Sequence, residues 1–279
     1  MSRPIIDLLL ITWNRREYVK KTLKNLLSHD TDFRLYCWDN GSKDGAADII
    51  NEAKDDRIVE RHFCPVNVMQ RYPTEWFLEQ SKNEIIGKID DDTLVPQGWT
   101  ENITQLILDY KKIGMVGCWT YWPDDFERNK VIAEKKKIID FGKHSLIQNI
   151  SIGGTAFLIR KDLAINYLDT KGGGTAFPID RVKMTIDGFI SGWYNPLIWA
   201  EHMDDPRSEY CLMKKMEALT DNAALTARTR NIKDINEYLD WIKKDADEFL
   251  TTSVDEQISE FYRRKTITYK LLNKMKSMF

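Results

Sequence analysis

Glu84-Ile85-Ile86-Gly87-Lys88-Ile89-Asp90-Asp91-Asp92-Thr93-Leu94-Val95-Pro96 joins an apolar run to three consecutive carboxylates and then to a proline. The apolar half predicts a buried strand. Adjacent aspartates repel one another, so leaving them at a strand end costs energy unless a positive partner compensates. A hard divalent cation is the natural compensator, because Mg²⁺ takes carboxylate oxygens and shares its remaining sites with phosphates and water. The stretch points to a metal–phosphate site at the carboxyl end of a strand, where open α/β sheets bind ligands. The plain alternative is a solvated acidic turn. Its place after an apolar strand and before a Pro-initiated helix weighs against that.

Upstream, strand and helix signals alternate. Residues 5–11 are a near-continuous apolar run, as expected of a strand covered on both faces. Residues 15–27 have helical spacing, with Val19, Leu23, Leu26 and Leu27 on one side. Residues 33–38 predict a second strand, 46–53 a helix, 58–61 a short strand and 74–81 a helix. Downstream, 98–110 predicts a helix and 115–118 a strand. This alternation implies an α/β fold with a parallel sheet. Residues 119–150 read as irregular, charged β-ribbon and loop. Residues 151–160 read as a strand, 178–190 as a helix, 195–200 as a short strand, and 231 onward as helical.

The 279 residues are enough for a large core. A net charge of −2 gives no global pull toward nucleic acid. Cys37, Cys64, Cys118 and Cys211 form no Cys-x-x-Cys pair, which argues against a zinc site or a disulfide framework and suits a reducing compartment. No run approaches the length of a transmembrane helix. The expectation is a cytoplasmic protein.

Two other strand ends carry polar residues. Thr12, Asn14 and Arg15 close the first strand, and either cap the next helix or line a crevice. Asp39 ends the second strand, before Asn40-Gly41-Ser42-Lys43-Asp44-Gly45. It either closes an Asx-turn or accepts a hydrogen bond from a nucleobase N–H. Parallel topology puts all three strand ends on one edge, which favours the crevice.

Together, Leu10-Ile11-Thr12-Trp13-Asn14-Arg15, Trp38-Asp39-Asn40-Gly41-Ser42-Lys43-Asp44-Gly45 and Asp90-Asp91-Asp92 resemble a GT-A-fold glycosyltransferase of family 2. The resemblance covers roughly residues 5–205. It implies a Rossmann-like, mostly parallel sheet flanked by helices. It also implies an inverting, metal-dependent transfer of a sugar from a nucleotide-diphosphate donor, with UDP favoured, to a hydroxyl of a glycan, polysaccharide or lipid-linked glycan. By that resemblance Thr12, Asn14 and Arg15 sit by the nucleotide and Asp39 contacts the base. Asp90 and Asp91 serve the ribose or sugar. Asp92 touches Mn²⁺ or Mg²⁺, with His202 as a further ligand and Asp204 or Asp205 in support. Gly153 and Gly154 border the donor sugar. Asp187 becomes the general base, with Asp180 as runner-up, and Asp187→Asn is expected to collapse turnover. The chain departs from the family's pattern at Ile186, where an acidic residue is usual, and at Asn67-Val68-Met69, which lacks an expected glycine. Arg71 in that loop either contacts phosphate or pairs with an acid. Two other classes remain compatible with these residues: an inactive carbohydrate-binding or scaffold module of the same fold, and a nucleotidyltransferase.

The expected organisation is a catalytic domain over 1–220, with halves 1–118 and 119–220, followed by a helical C-terminal extension over 221–279. In its tail Ile267, Leu271, Met275 and Phe279 recur every four residues among Arg263, Arg264, Lys265, Lys270, Lys274 and Lys276. Such a helix either packs on its own domain or a partner, or lies peripherally on the inner face of a membrane. The Gly172-Gly173-Gly174 loop is a candidate to close over the donor.

Overall fold

The computed structural model describes residues 5–169, 177–215, 227 and 230–265. The Gly172-Gly173-Gly174 loop and the tail stripe at Ile267, Leu271, Met275 and Phe279 lie outside the described residues. In chain order the elements are β1 (Ile6–Thr12), α1 (Arg16–Leu27), β2 (Phe33–Asp39), α2 (Ala46–Glu52), β3 (Ile58–Phe63) and α3 (Arg71–Gln80). Then come β4 (Ile85–Asp90), β5 (Thr93–Leu94), α4 (Trp99–Asp109), β6 (Ile113–Gly117), α5 (Pro123–Lys137), β7 (Ile138–Asp140) and β8 (Ser145–Gln148). The chain continues through β9 (Ala156–Arg160), α6 (Lys161–Asn166), α7 (Arg181–Ile186), β10 (Ile190–Asn195), β11 (Glu201–His202), α8 (Ile235–Thr251) and α9 (Val254–Lys265).

The main sheet runs β3-β2-β1-β4-β9-β6-β10-β8-β7. Its first four strands are mutually parallel. All seven residues of β1 are buried, because both faces are covered. Side chains alternate across the strand. Leu8 and Leu10 join Val19, Leu23 and Leu26 of α1 and Ile103 of α4 on one face. Leu9 and Ile11 join Phe77 of α3, Leu163 of α6 and Leu250 of α8 on the other. Strand β9 then enters antiparallel between β4 and β6, so the sheet is mixed rather than wholly parallel.

Asp7 interrupts the apolar run of β1 for a structural reason. It is fully buried and accepts two hydrogen bonds from Arg34, both at 2.8 Å. The N–H groups of Lys82 (2.7 Å) and Asn83 (3.0 Å) and the Asn83 side chain (2.7 Å) donate to it as well. One carboxylate thus ties β1, β2 and the turn into β4 together at the amino edge of the sheet.

Beyond residue 118 the sequence expectations need correction. The charged stretch expected as ribbon and loop contains α5. Its start is marked by Pro123 at the first helical position and by Asp124 and Asp125 in the first turn, where a fixed φ and negative charge both favour a helix start. The helix buries few apolar residues, so it shows no strong periodic stripe. Strand β9 starts at Ala156, with 151–155 as a loop. The helix expected over 178–190 is the short α7, followed by β10. The strand expected over 195–200 is reduced to an isolated parallel bridge of Trp199 to Trp119, and β11 follows it. The C-terminal extension is docked. Tyr238, Ile242, Ala246 and Leu250 of α8 are buried at four-residue spacing. Asp245 accepts from the Tyr121 hydroxyl at 2.5 Å, and Asp247 from Arg128 at 2.7 Å and Asn129 at 2.5 Å.

Candidate active site

Strand register assembles the site. Thr12 lies beside Asp39, and Ile11 beside Asp90. The ends of β1, β2 and β4 therefore share the carboxyl edge of the sheet, as the crevice reading expected. The two-stranded β5–β11 ladder immediately follows the aspartates and sets His202 opposite Thr93. The Met203 N–H donates to the Asp92 carbonyl at 2.7 Å. This ladder carries His202 and Asp204 across the chain to Asp92. Helix α1 clamps the same loop, with Thr22 donating to the Asp91 carbonyl at 2.8 Å and Asn25 accepting from the Val95 N–H at 2.9 Å.

The result is a cleft of ≈ 210 Å³, lined on its acidic side by Asp90, Asp91, Asp92, His202 and Asp204, and elsewhere by Thr12, Arg15 and Tyr238 among others. Ligand atoms of Asp92, His202 and Asp204 all lie within 4.8 Å of one another. His202 Nε2 is 3.3 Å from Asp92 Oδ2. Arg15 bridges the carboxylates of Asp92 and Asp204. Asp92 is buried, and its Oδ1 has no hydrogen-bond partner among the described residues. An orphaned buried carboxylate oxygen beside a second carboxylate and an imidazole fits a divalent cation, and the mixed oxygen–nitrogen donor set suits Mn²⁺.

The electrostatics are polarised. Burial pushes the Asp91 carboxyl up to about 8, with Asp92 adding to the effect and Arg15 opposing it. Thr12 Oγ1 donates to Asp91 Oδ2 at 2.5 Å. Burial also works against charge on Asp92, but His202 and Arg15 outweigh it and hold that carboxyl well below the usual range. Burial disfavours the imidazolium of His202, yet Asp92 outweighs this and raises it to about 9. Asp90 is held by the buried amine of Lys88, which also donates to the Gly154 carbonyl at 3.1 Å.

The other sequence candidates divide. Asp39 is buried and accepts from the N–H groups of Gly41 (3.0 Å) and Ser42 (2.9 Å) through Oδ2, while its Oδ1 has no partner among the described residues. The turn reading holds for one oxygen. Gly41 has φ +75°, and a Cβ there would meet the Val66 backbone nitrogen at 2.8 Å, so only glycine fits the turn. Asn14, itself at φ +55°, donates its N–H to Ser42 at 2.9 Å and accepts from the Lys43 N–H at 2.7 Å. It fastens the first two loops together. Gly153 and Gly154 belong to a loop tied to β4, with the Asp90 N–H donating to the Thr155 carbonyl at 2.8 Å. Arg71 pairs with Glu75 at 2.8 Å. Asp205 pairs with Arg207 at 2.7 Å and so stands apart from the cation cluster.

Asp187 does not join this constellation. It caps the end of α7, accepts from Lys183 and Tyr167 at 2.5 and 2.8 Å, and is exposed. The turn after it leads into β10, whose Ile190 sits beside Ile113 at the start of β6. Asp187 is therefore at the amino edge of the sheet, whereas the aspartates follow the carboxyl end of β4. Asp180 is at the other end of α7, where it accepts from the Lys183 N–H at 2.9 Å. Tyr238 was not anticipated, since it lies in the C-terminal extension and its local sequence carries only the signature of a helix face.

Residues 7–168 match the family described as Glycosyl transferase family 2. The chain belongs to that family. It is a glycosyltransferase, and its sheet and flanking helices form a GT-A fold. No curated protein matches the chain by sequence. Among solved structures it is similar to the mannosyltransferase PcManGT from Pyrobaculum calidifontis in complex with GDP-Man and Mn²⁺ (13% identity, 100% of this chain and 81% of that one, TM-score 0.56). It is also similar to residues 1–349 of S. aureus TarS (12% identity, 72% and 61% of the two chains, TM-score 0.52). The likeness extends to that TarS segment in complex with UDP-GlcNAc (12% identity, 70% and 57%, TM-score 0.51). The chain thus spans about three fifths of the TarS segment. Among the described residues no helix is long and apolar enough to cross a membrane.

Proposed function

We propose that this glycosyltransferase moves a sugar from a nucleoside-diphosphate donor to a hydroxyl of a glycan or lipid-linked glycan, with inversion at the anomeric carbon. The observation that carries the reading is the Asp92, His202 and Asp204 cluster with the partnerless Asp92 Oδ1. Those three residues would hold Mn²⁺ or Mg²⁺. A bound cation supplies charge neutralisation for the departing diphosphate. Asp39 Oδ1 would accept the N3–H of uracil, which favours a UDP-sugar. A GDP-sugar is the competing donor, since the similar structures include one with GDP-Man and one with UDP-GlcNAc.

In the transfer, the acceptor oxygen forms a bond to the anomeric carbon as the bond from that carbon to the phosphate oxygen breaks. The nucleoside diphosphate leaves with the bonding electron pair, and a carboxylate takes the acceptor proton. Asp180 replaces Asp187 as the proposed base. Asp180 sits at the opposite end of α7 from Asp187, where it accepts from the Lys183 N–H at 2.9 Å. Release of nucleoside diphosphate from a panel of UDP- and GDP-sugars with Mn²⁺ tests the reading. Release from one donor class supports it. Donor binding without release, across glycan acceptors and water, would favour an inactive carbohydrate-binding module instead.

A further inference from the structure

Arg15 occupies a position that a bound cation would contest. It follows β1 and precedes α1 with non-helical backbone angles. Its two terminal nitrogens donate to Oδ2 of Asp92 and Oδ2 of Asp204. Those residues, with His202, form the one candidate cation cluster among the described residues. A divalent ion of Mg²⁺ size needs carboxylate oxygens at about 2.0–2.1 Å. A guanidinium hydrogen-bonded to the same oxygens would then sit beside a doubly charged ion, with like charges in contact inside a partly buried site. Even on the partnerless Asp92 Oδ1 a doubly charged ion would lie across the same carboxylate from the guanidinium, so the two cations compete for the cluster. Arg15 also has somewhere to go. It lines both the acidic cleft and an adjoining cavity of ≈ 540 Å³ that includes Arg16 and Lys43. Its planar fork matches phosphate as well as carboxylate.

We propose that Arg15 is the resident counter-ion of the cluster: it bridges Asp92 and Asp204 until a divalent cation takes their oxygens, and then turns its guanidinium to the diphosphate of the donor. The inference rests on the reading of the cleft as a nucleoside-diphosphate-sugar site. It makes Arg15 a positioning residue that couples cation binding to nucleotide binding. A side chain that merely braced the loop would weaken both ligands when removed. A displaced counter-ion moves them in opposite directions.

The test is calorimetric titration of the wild type and Arg15→Met with Mn²⁺ alone, and with UDP and GDP in the presence of saturating Mn²⁺. Titration calorimetry needs no turnover. Removing one competing positive charge should tighten Mn²⁺ about tenfold or more, while a nucleotide deprived of its guanidinium should weaken about tenfold or more. Arg15→Lys, which keeps the charge but cannot bridge two carboxylates, should fall between wild type and Arg15→Met for Mn²⁺, and it carries the same test if Arg15→Met does not fold. Mn²⁺ binding that is unchanged or weaker in both variants, with the wild type binding Mn²⁺ and nucleotide normally, would overturn the counter-ion role alone. A wild type that binds neither would overturn the donor-site reading and this inference with it.

Discussion

Lys88→Met is the most informative single change to the scaffold of the site. Lys88 is 2% exposed in the middle of the sheet. Its amine is satisfied by Asp90 and by the Gly154 carbonyl, so it joins the first aspartate of the triplet to the loop of Gly153 and Gly154. Deleting one member of a buried ion pair typically costs about 3–5 kcal/mol. Here the Asp90 side chain is 29% exposed, so water recovers part of that loss. A carbonyl left without its donor costs about 1 kcal/mol more. The expected destabilisation is about 2–4 kcal/mol. The reverse change, Asp90→Asn, strands a buried amine and should cost at least as much. The double variant removes both charges and should be less destabilised than the sum of the two by at least about 1 kcal/mol. Urea unfolding of the four proteins reads this as shifts in midpoint at constant slope. A single change below about 0.5 kcal/mol, or strict additivity, would refute the view of Lys88 and Asp90 as a coupled internal pair.

Two further expectations follow from particular side chains. Asp180→Asn should lower turnover by about 10²–10⁴-fold with donor binding retained, as for loss of a positioned base, whereas Asp187→Asn should leave turnover within about twofold. Steady-state release of nucleoside diphosphate compares them, and the opposite ranking would return the base to Asp187. Asp7 predicts a pH signature. Burial opposes its charge, but the Arg34 side chain and the Asn83 and Lys82 N–H groups outweigh that and hold its carboxyl below the ordinary value. A depressed folded pKa contributes stability above the unfolded value of about 3.9, lost as pH falls through the folded value. The stability gap between wild type and Asp7→Asn should therefore be constant above about pH 5 and close below about pH 4. A gap that persists undiminished at pH 2.5 would contradict this.

The first half of the chain was legible because its signals are local. Continuous apolar runs marked β1, β2 and β4, and parallel pairing then aligned Thr12, Asp39 and Asp90 without further information. The second half depends on contacts distant in sequence. Strand β9 enters antiparallel between β4 and β6, a pairing that its own local sequence does not specify. His202 reaches Asp92 through a two-residue ladder, and only the family resemblance, not its own neighbourhood, points to that partner. Asp187 lies away from the aspartates because the turn after α7 leads into the amino end of β10. With α7 only six residues long, Asp180 and Asp187 stand at its two ends. Tyr238 lines the cleft from a helix outside the family match. A chain divided at residue 220 on composition gives no hint that the later segment closes the earlier one.

The central claim is a cation-dependent nucleoside-diphosphate site at Asp92. Thermal unfolding of wild type and Asp92→Ala, each with UDP, GDP, TDP or CDP and with or without Mn²⁺, tests it most directly. At a hundred times its dissociation constant a ligand adds about 2.7 kcal/mol of stability, a readily resolved shift. The account predicts a shift with UDP or GDP that requires Mn²⁺ in the wild type and is absent in Asp92→Ala. No shift with any nucleotide, or an equal shift in the folded Asp92→Ala protein, would contradict it.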